Sequence, residues 1–183
     1  MPNVRSSLSI LALCTVALAV SSCSSMSDTS DGGSYAYNAP SDYSSRLSPS
    51  IASGEKVVVV DPHAHAWGAY DRSGNLVKSG LATAGSEWCP DIGRPCRTSI
   101  GHFRVSSLGG PECKSKIFPV PKGGAPMPYC MFFHGGQALH GVSEGEVVEG
   151  NISHGCVRLH VADAEWLRFN FVDVGTKVVV KPY

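Results

Sequence analysis

The chain has 183 residues and a formal net charge of zero, with 15 basic and 15 acidic side chains. This length supports one domain of ordinary size with a proper hydrophobic core. No basic patch or acidic tail stands out, which argues against nucleic acid as a partner. Twenty Gly and twelve Pro residues, with charged residues at only 16%, favour short strands joined by many turns over a helical bundle.

The N-terminal segment has the pattern of an export signal. Arg5 supplies a positive charge, and Leu8–Val20 is an apolar stretch too short to span a bilayer as a mature helix. The sequence Val-Ser-Ser-Cys ending at Cys23 resembles the lipobox of bacterial lipoproteins, and an ordinary signal peptide is the alternative. We therefore expect residues 1–22 to be a lipoprotein signal peptide and Cys23 to carry a lipid anchor in the membrane. Ser24 is compatible with the outer membrane, so the expected location is the bacterial cell envelope, facing the periplasm.

Residues 23–52 are rich in Ser and have no apolar periodicity. This composition predicts a flexible tether that joins the lipidated Cys to a domain over residues 53–183. Tyr35, Tyr37 and Tyr43 could dock on a partner, but scattered tyrosines in a linker are interpreted as solvated.

The domain is predicted to be mainly β. Lys56–Asp61 begins it with a β-branched run that is typical of a buried strand. Asp71–Asn75 has the composition of a hairpin turn. The other predicted strands are Ala64–Tyr70, Leu76–Ala84, Gly101–Ser107, Tyr129–Phe133, Ala138–Val142 and Thr176–Lys181.

Two long loops and one helix complete the predicted elements. Gly85–Ser99 carries Trp88 and two Cys residues, and Leu108–Pro128 holds five Pro residues and two Gly-Gly pairs. Long irregular excursions of this kind often line binding sites. The helix is predicted at about Val161–Phe171, where acidic residues in the first turn complement the dipole and apolar residues recur on one face. Gly175 follows it as a stop.

The strongest chemical signal is Cys156, which lies in the stretch Ile152–Leu159. A thiolate nucleophile needs an imidazole to take its proton and hydrogen-bond donors for the developing oxyanion. His140 and His154 are candidates for the base. The backbone N–H groups of His154, Gly155 and Cys156 are candidates for the donors, because Gly155 lets the chain turn and approach a substrate. The alternative is a buried free Cys beside two surface histidines.

A wider pattern resembles a known family. His140, twelve further residues and then Ser-His-Gly-Cys-Val-Arg-Leu closely resemble the active-site signature of the L,D-transpeptidase catalytic domain, the YkuD or ErfK/YbiS-like family. Short runs between Met127 and Gly141 resemble it too, as does Thr98–Val105, although the family usually has Pro where Ser99 stands. The resemblance runs from about residue 56 to residue 183. It implies a β-sandwich or barrel-like domain with one principal helix near the C-terminus.

The resemblance also implies roles for individual residues. His140 would abstract the thiol proton, and a backbone carbonyl would orient its ring because Gly141 has no side chain to do so. His154 would be structural to the oxyanion loop, or a secondary proton carrier. The residues expected to bind substrate are Arg158, Tyr129 and Ser153, and Arg158 could instead pair with an acid near the loop.

The implied reaction is acyl transfer on peptidoglycan stem peptides, without a cofactor. Cys156 would attack the carbonyl that follows the L-centre of the third, diamino-acid residue, and a thioester would remain after the terminal D-amino acid leaves. The acceptor decides the product. If it is a second stem, the product is a 3→3 cross-link; if it is an amine of an envelope protein, that protein becomes attached to the wall. If the acceptor is water, the enzyme is an L,D-carboxypeptidase. A non-catalytic peptidoglycan-binding lipoprotein is the competing class, and the intact Ser-His-Gly-Cys loop argues against it.

Export also constrains the cysteines. Of seven Cys residues, Cys14 leaves with the signal and Cys23 carries lipid, so five thiols remain. In an oxidising compartment four of them can pair in three connectivities, and the thiol left over should be the one that must stay reduced, Cys156. Bridges between cysteines that are neighbours in sequence place the fewest constraints on the fold, although crossed bridges between the two loops are an alternative. The bridges so predicted are Cys89–Cys96 and Cys113–Cys130.

His63 and His65 raise a zinc hypothesis, because two histidines at i and i+2 of a strand face the same side. Zinc peptidases need at least one further protein ligand and a general acid or base. His134 or His160 could be that ligand, but no HxxxD or HExxH pattern is present. We therefore interpret these residues as surface imidazoles and predict no metal.

Overall fold

The computed structural model describes residues 42–183. The predicted signal peptide, the lipidation site at Cys23, Tyr35, Tyr37 and most of the predicted tether lie outside the described residues. Within residues 42–183, no helix combines the length and the apolar composition that crossing a membrane requires.

Two β-sheets form the domain. The strands are β1 Val57–Asp61, β2 Ala66–Tyr70, β3 Leu76–Leu81, β4 Gly101–Arg104, β5 Ser107–Leu108, β6 Met131–His134, β7 Gln137–Val142, β8 Val157–His160 and β9 Lys177–Val180. The first sheet has the order β3-β2-β1-β9-β4, and the second has the order β5-β6-β7-β8. Pairing is antiparallel except between β1 and β9 and between β7 and β8, which run parallel.

The main core lies between the two sheets. Val58 and Val60 of β1 contribute to it from the first sheet, and Leu139 and Leu159 contribute from the second. The other valines of β1 pack on the opposite face against Tyr70 in a smaller cluster. Because β1 is covered on both faces, its sequence is a continuous apolar run rather than an alternating one. The predicted fold class, mainly β with two layers, is confirmed.

One helix packs beside the second sheet. It consists of α1, Val161–Trp166, continued by a π-helical segment, Leu167–Phe171. Ala164 and Leu167 are fully buried in the main core. The helix therefore has the predicted bounds, and it begins directly after β8, so its packing holds the C-terminal end of that strand in place.

The structure differs from the predicted strands in several places. The predicted strand Gly101–Ser107 ends at Arg104, and Ser107 belongs to β5. Val157–His160 is a strand that the sequence did not predict. β2 begins at Ala66 rather than Ala64, because residues 62–65 form a turn. His63 and His65 therefore lie in a turn, and the strand geometry assumed for the zinc hypothesis is wrong. β3 ends at Leu81, three residues before the predicted end.

The tether is shorter than predicted, because the chain packs onto the domain from Tyr43 onwards. Tyr43–Arg46 is a 3-10 turn, and the side chains of Tyr43 and Leu47 are buried against Ala66 and Val142. The Tyr70 hydroxyl donates to the Ser48 carbonyl over 2.8 Å. The prediction of a solvated Tyr43 is therefore wrong, because the side chains of Tyr43 and Leu47 are part of a buried apolar cluster.

Candidate active site

The parallel pairing of β7 and β8 brings the predicted active-site residues together. His140 lies opposite Arg158 in the ladder, and Leu139 lies opposite Val157. Because side chains alternate between faces along a strand, Leu139 and Val157 point into the core while their neighbours point the other way. Cys156 directly precedes β8 and shares the outer face with Arg158. All three outer residues line one cavity.

A tight turn precedes Cys156. Gly155 has a φ of +119°, and Ser153 is 1% exposed. The Ser153 hydroxyl donates to the Cys156 carbonyl and accepts from the Gly155 N–H over 3.1 Å. This hydroxyl, which was predicted to bind substrate, is thus engaged within the turn, although Ser153 does line the cavity.

The same turn decides which backbone donors remain for an oxyanion. The Gly155 N–H is occupied by Ser153, which removes one of the three predicted donors. Within residues 42–183, the N–H groups of His154 and Cys156 make no hydrogen bond. These two groups are therefore the ones available to a developing oxyanion.

Residues 83–98 hold the turn from the other side. The Ser153 N–H donates to the Ala84 carbonyl over 3.0 Å, and the Ser86 N–H donates to the Ser153 carbonyl over 2.8 Å. The Thr98 hydroxyl, which is fully buried, donates to the Gly155 carbonyl over 2.9 Å. The carbonyls of Ser153 and Gly155 are thus both held by residues 83–98, a segment that is distant in sequence.

A backbone carbonyl orients the ring of His140. Its Nδ1 lies 2.9 Å from the Gly141 carbonyl oxygen, and the residue is 5% exposed. A carbonyl only accepts, so the proton sits on Nδ1 and Nε2 keeps its lone pair. Burial is the main cause that lowers the pKa of His140 to about 4, and the charge of Arg158 acts in the same direction. The hydrogen bond to Gly141 and the charge of Glu146 act in the opposite direction. The ring is therefore neutral near pH 7.

Cys156 is a half-buried free thiol. Burial raises its pKa, while the backbone N–H of Ala138 and the charge of Arg158 act in the opposite direction. Its Sγ lies 4.0 Å from the Gly136 carbonyl oxygen. The resting site thus holds a neutral thiol beside a neutral imidazole rather than an ion pair.

The cavity is narrow, with a volume of about 100 Å³. Strands β7 and β8, together with the turn that precedes Cys156, form one wall. The other wall is formed by the long Pro-rich loop Leu108–Pro128, which we call the excursion. Its lining residues are Ser115, Phe118, Ala125, Pro126 and Met127. A second cavity, of about 450 Å³, shares Phe118 with the first. A long Pro-rich loop lining the site is what the sequence led us to expect.

Both predicted disulfides are confirmed. Cys89 is bonded to Cys96, and Cys113 is bonded to Cys130. The second bridge closes the base of the excursion, and Cys130 directly precedes β6. Cys156 is the free thiol of the described residues.

Two residues predicted to bind substrate lie in different surroundings. Arg158 is half-buried, lines the cavity and makes no ion pair with a carboxylate of residues 42–183, so the alternative of pairing with an acid finds no partner there. The Tyr129 hydroxyl instead donates to Glu165 over 2.9 Å, and its ring packs edge-on against Phe169. Tyr129 is not among the residues that line the cavity.

His154 has partners that the sequence did not reveal. Its Nε2 lies 2.7 Å from a carboxylate oxygen of Asp91, and its ring lies on Phe118 with centroids 4.5 Å apart. The only available signal was an acid between two paired cysteines, in a loop 63 positions away. Glu146, which also lines the cavity, was missed as well.

The histidines of the zinc hypothesis are not gathered into a site. In the described part of the chain, the one group with ligand spacing is Cys89, Asp91 and His154. The sulfur of Cys89 is in a disulfide, so it is not a thiolate ligand. His134 instead packs against Phe103, with centroids 4.6 Å apart.

A family model of the L,D-transpeptidase catalytic domain (YkuD) matches residues 55–180. The chain belongs to this family. The match spans both sheets and the helix, so the resemblance found in the sequence is confirmed over nearly all of the described chain.

Solved L,D-transpeptidases have a similar fold. One from Xylanimonas cellulosilytica is 27% identical, with a TM-score of 0.61 over 75% of this chain and 66% of that one. One from Mycobacterium smegmatis is 22% identical, with a TM-score of 0.56 over 70% and 59%. L,D-transpeptidase 3 from Mycobacterium tuberculosis, in complex with a faropenem-derived adduct, is 23% identical, with a TM-score of 0.54 over 69% and 60%. This L,D-transpeptidase domain thus spans about three fifths to two thirds of their lengths. Comparison with curated proteins gives no match.

Proposed function

We propose that this L,D-transpeptidase family member acts on peptidoglycan stem peptides through a thioester on Cys156. The observation that carries the proposal is the shared face of β7 and β8. There, the Cys156 thiol, the neutral imidazole of His140 and the guanidinium of Arg158 line one narrow cavity, and this guanidinium has no ion pair among residues 42–183. Nucleophile, base and anion-binding group are the parts that acyl transfer from a peptide with a terminal carboxylate requires.

The neutral resting pair determines how the thiol is activated. His140 Nε2 takes the proton from Cys156 as the sulfur attacks the carbonyl that follows the L-centre. Because the pKa of His140 is about 4 and that of the thiol is raised, proton transfer and attack are coupled, since a free thiolate–imidazolium pair is disfavoured. The N–H groups of His154 and Cys156 would stabilise the oxyanion. The terminal D-amino acid then leaves as an amine, taking the proton from His140.

The second half-reaction transfers the acyl group to an acceptor. An amine attacks the thioester, the amide forms, and the proton lost by the amine replaces the one that left the Cys156 sulfur. An amine on a second stem gives a 3→3 cross-link, and an amine on an envelope protein attaches that protein to the wall. Trimming of tetrapeptides as an L,D-carboxypeptidase is the second candidate.

The proposed location is the periplasmic face of the cell envelope. Two disulfides in residues 42–183 support an oxidising compartment. Export by a signal peptide over residues 1–22 and a lipid on Cys23, anchored in the outer membrane, would put the domain there.

One experiment separates the candidate functions. The protein is incubated with a tetrapeptide stem, and enzyme and products are analysed by mass spectrometry, with Cys156→Ala as the control. A thioester adduct with a cross-linked dimer supports the proposal. Tripeptide alone identifies a carboxypeptidase, and the absence of both adduct and product leaves a peptidoglycan-binding lipoprotein without turnover.

A further inference from the structure

Two histidines flank Cys156, and each is held by a hydrogen-bond acceptor at a different ring nitrogen. His140 is held at Nδ1 by the Gly141 carbonyl, which leaves Nε2 free. His154 is held at Nε2 by Asp91, over 2.7 Å. A carboxylate oxygen only accepts hydrogen bonds, so this contact puts a hydrogen on Nε2 of His154. In the neutral ring, Nδ1 is then the nitrogen that keeps a lone pair.

The carboxylate of Asp91 is delivered by a covalently closed loop. The Cys89–Cys96 bridge closes the loop, and the Cys89 N–H donates to the Arg94 carbonyl over 3.0 Å across its neck. The Cys96 N–H donates to the Ser86 carbonyl over 3.2 Å, which joins the loop to the segment that holds the nucleophile turn. Asp91 is therefore positioned by backbone geometry, although its own side chain is exposed to solvent.

The opposite face of the His154 ring is also fixed. Phe118, from the excursion closed by the other disulfide, packs on the ring at 4.5 Å between centroids. His154 is thus held between the two disulfide-closed loops while it lines the cavity of Cys156. The ring is not fully enclosed by these contacts, since 29% of the side chain stays exposed.

We propose that Asp91 is a positioning residue for the transfer reaction, acting through His154. It fixes the orientation of that ring and the tautomer with hydrogen on Nε2, so that Nδ1 keeps the lone pair on a ring that lines the cavity of Cys156. The proposal rests on the proposed acyl-transfer function. A histidine oriented by a carboxylate at one nitrogen works through the other, and loss of the carboxylate leaves the ring free to adopt the wrong tautomer.

The test compares Asp91→Asn with Glu87→Gln. Both variants remove one negative charge from the same segment. The Glu87 carboxylate pairs with Arg97 over 3.0 Å and is 84% exposed, so its loss should leave His154 unchanged. Long-range ¹H–¹⁵N NMR of the His154 ring reports the tautomer, and steady-state kinetics with a tetrapeptide donor and an amine acceptor report kcat and KM.

We expect wild type and Glu87→Gln to show hydrogen on Nε2 of His154, and Asp91→Asn to lose this single tautomer. The kcat of Asp91→Asn should fall by about 10- to 100-fold with KM unchanged, because ground-state binding is not altered. Asp91→Ala should be at least as slow, since it removes the acceptor altogether. Peptide mapping of both disulfides and thermal unfolding check that the variants are folded.

An unchanged tautomer in Asp91→Asn, an undiminished kcat, or an equal fall in Glu87→Gln would overturn the proposal. Its failure is distinguishable from failure of the proposed function. A wild-type protein that forms no thioester refutes acyl transfer, and with it the catalytic part of the proposal. Acyl transfer that proceeds equally well in wild type and Asp91→Asn refutes the positioning role alone.

Discussion

Arg158 and His140 lie directly opposite one another on β8 and β7, and the guanidinium charge acts on both His140 and Cys156. It lowers the pKa of His140, which keeps the base neutral, and it lowers the pKa of Cys156, which favours thiolate. Burial has the largest effect on both pKa values. It lowers the pKa of His140, in the same direction as the guanidinium, and it raises the pKa of Cys156, which the guanidinium counteracts. One residue thus keeps the imidazole unprotonated, at the cost of some basicity, and makes the thiol more ready to give up its proton.

Replacing Arg158 by Gln should shift the pH dependence of acylation upward. Without the positive charge the pKa of His140 rises, so the acidic limb of the rate profile moves up from about 4. The limb set by thiol ionisation moves up as well. The pH dependence of Cys156 alkylation by iodoacetamide measures both limbs. Arg104→Gln, which removes an exposed guanidinium paired with Glu55, is the matched control and should leave the profile in place.

Truncation of the two histidines should separate their roles. His140→Ala should lower the acylation rate by about 10²–10⁴-fold, the range typical of positioned proton transfer. His154→Ala should cost less in this step, because the free Nε2 of His140 is the base. Single-turnover formation of the thioester is the measurement. A folded His154→Ala that is slower in acylation than His140→Ala would reverse the assignment.

A carbapenem or penem should acylate Cys156. Such compounds present a strained carbonyl to the thiol, and membership of the L,D-transpeptidase family leads us to expect this acylation. Incubation with faropenem or imipenem should add one covalent group per chain, and peptide mapping should place it on residue 156. Cys156→Ala should stay unmodified with its fold intact, because a half-buried thiol contributes little packing. An adduct on any other residue would contradict the nucleophile assignment.

The sequence predicted elements whose pattern is local and missed those that tertiary contacts create. The valine run of β1 identifies a buried strand by itself. Val157–His160 has only two core positions, and it becomes a strand because β7 and Thr83 supply hydrogen-bond partners. The resemblance to the family identified Cys156 and His140. No local pattern could have revealed Asp91, whose partner lies 63 positions away.

Removing the Cys113–Cys130 bridge should impair both stability and acylation. The double Ser variant should lose roughly 2–4 kcal/mol of unfolding free energy on the chain-entropy model. Its activity should fall because the excursion that carries Phe118 and Met127 is no longer closed at its base. The double Ser variant of Cys89–Cys96 is the comparison. Its bridge spans seven positions rather than 17, so the model gives a loss smaller by about 0.7 kcal/mol. Urea unfolding measures both losses. If the two double Ser variants lose the same unfolding free energy, the chain-entropy model does not describe these bridges.

The buried neutral state of His140 should make the fold less stable in acid. The pKa of His140 is about 4 in the folded protein against an ordinary value of 6.5, so the unfolded chain binds more protons between these values. Stability therefore rises with pH through this window: the contribution is complete above about pH 6.5 and is lost as pH falls toward 4. Its size is about 3 kcal/mol, at 1.36 kcal/mol per pH unit.

The variant His140→Gln isolates this contribution, since the other titrating groups are the same in both proteins. Urea unfolding at pH 7, 5.5 and 4.5 should show a steeper fall in stability for wild type than for the variant. Below pH 4 the two slopes should become equal, because His140 is then protonated in both folded and unfolded chains. Parallel slopes between pH 4.5 and 6.5 would mean that folding does not lower the pKa of His140, and the neutral resting state of its ring would then not come from burial.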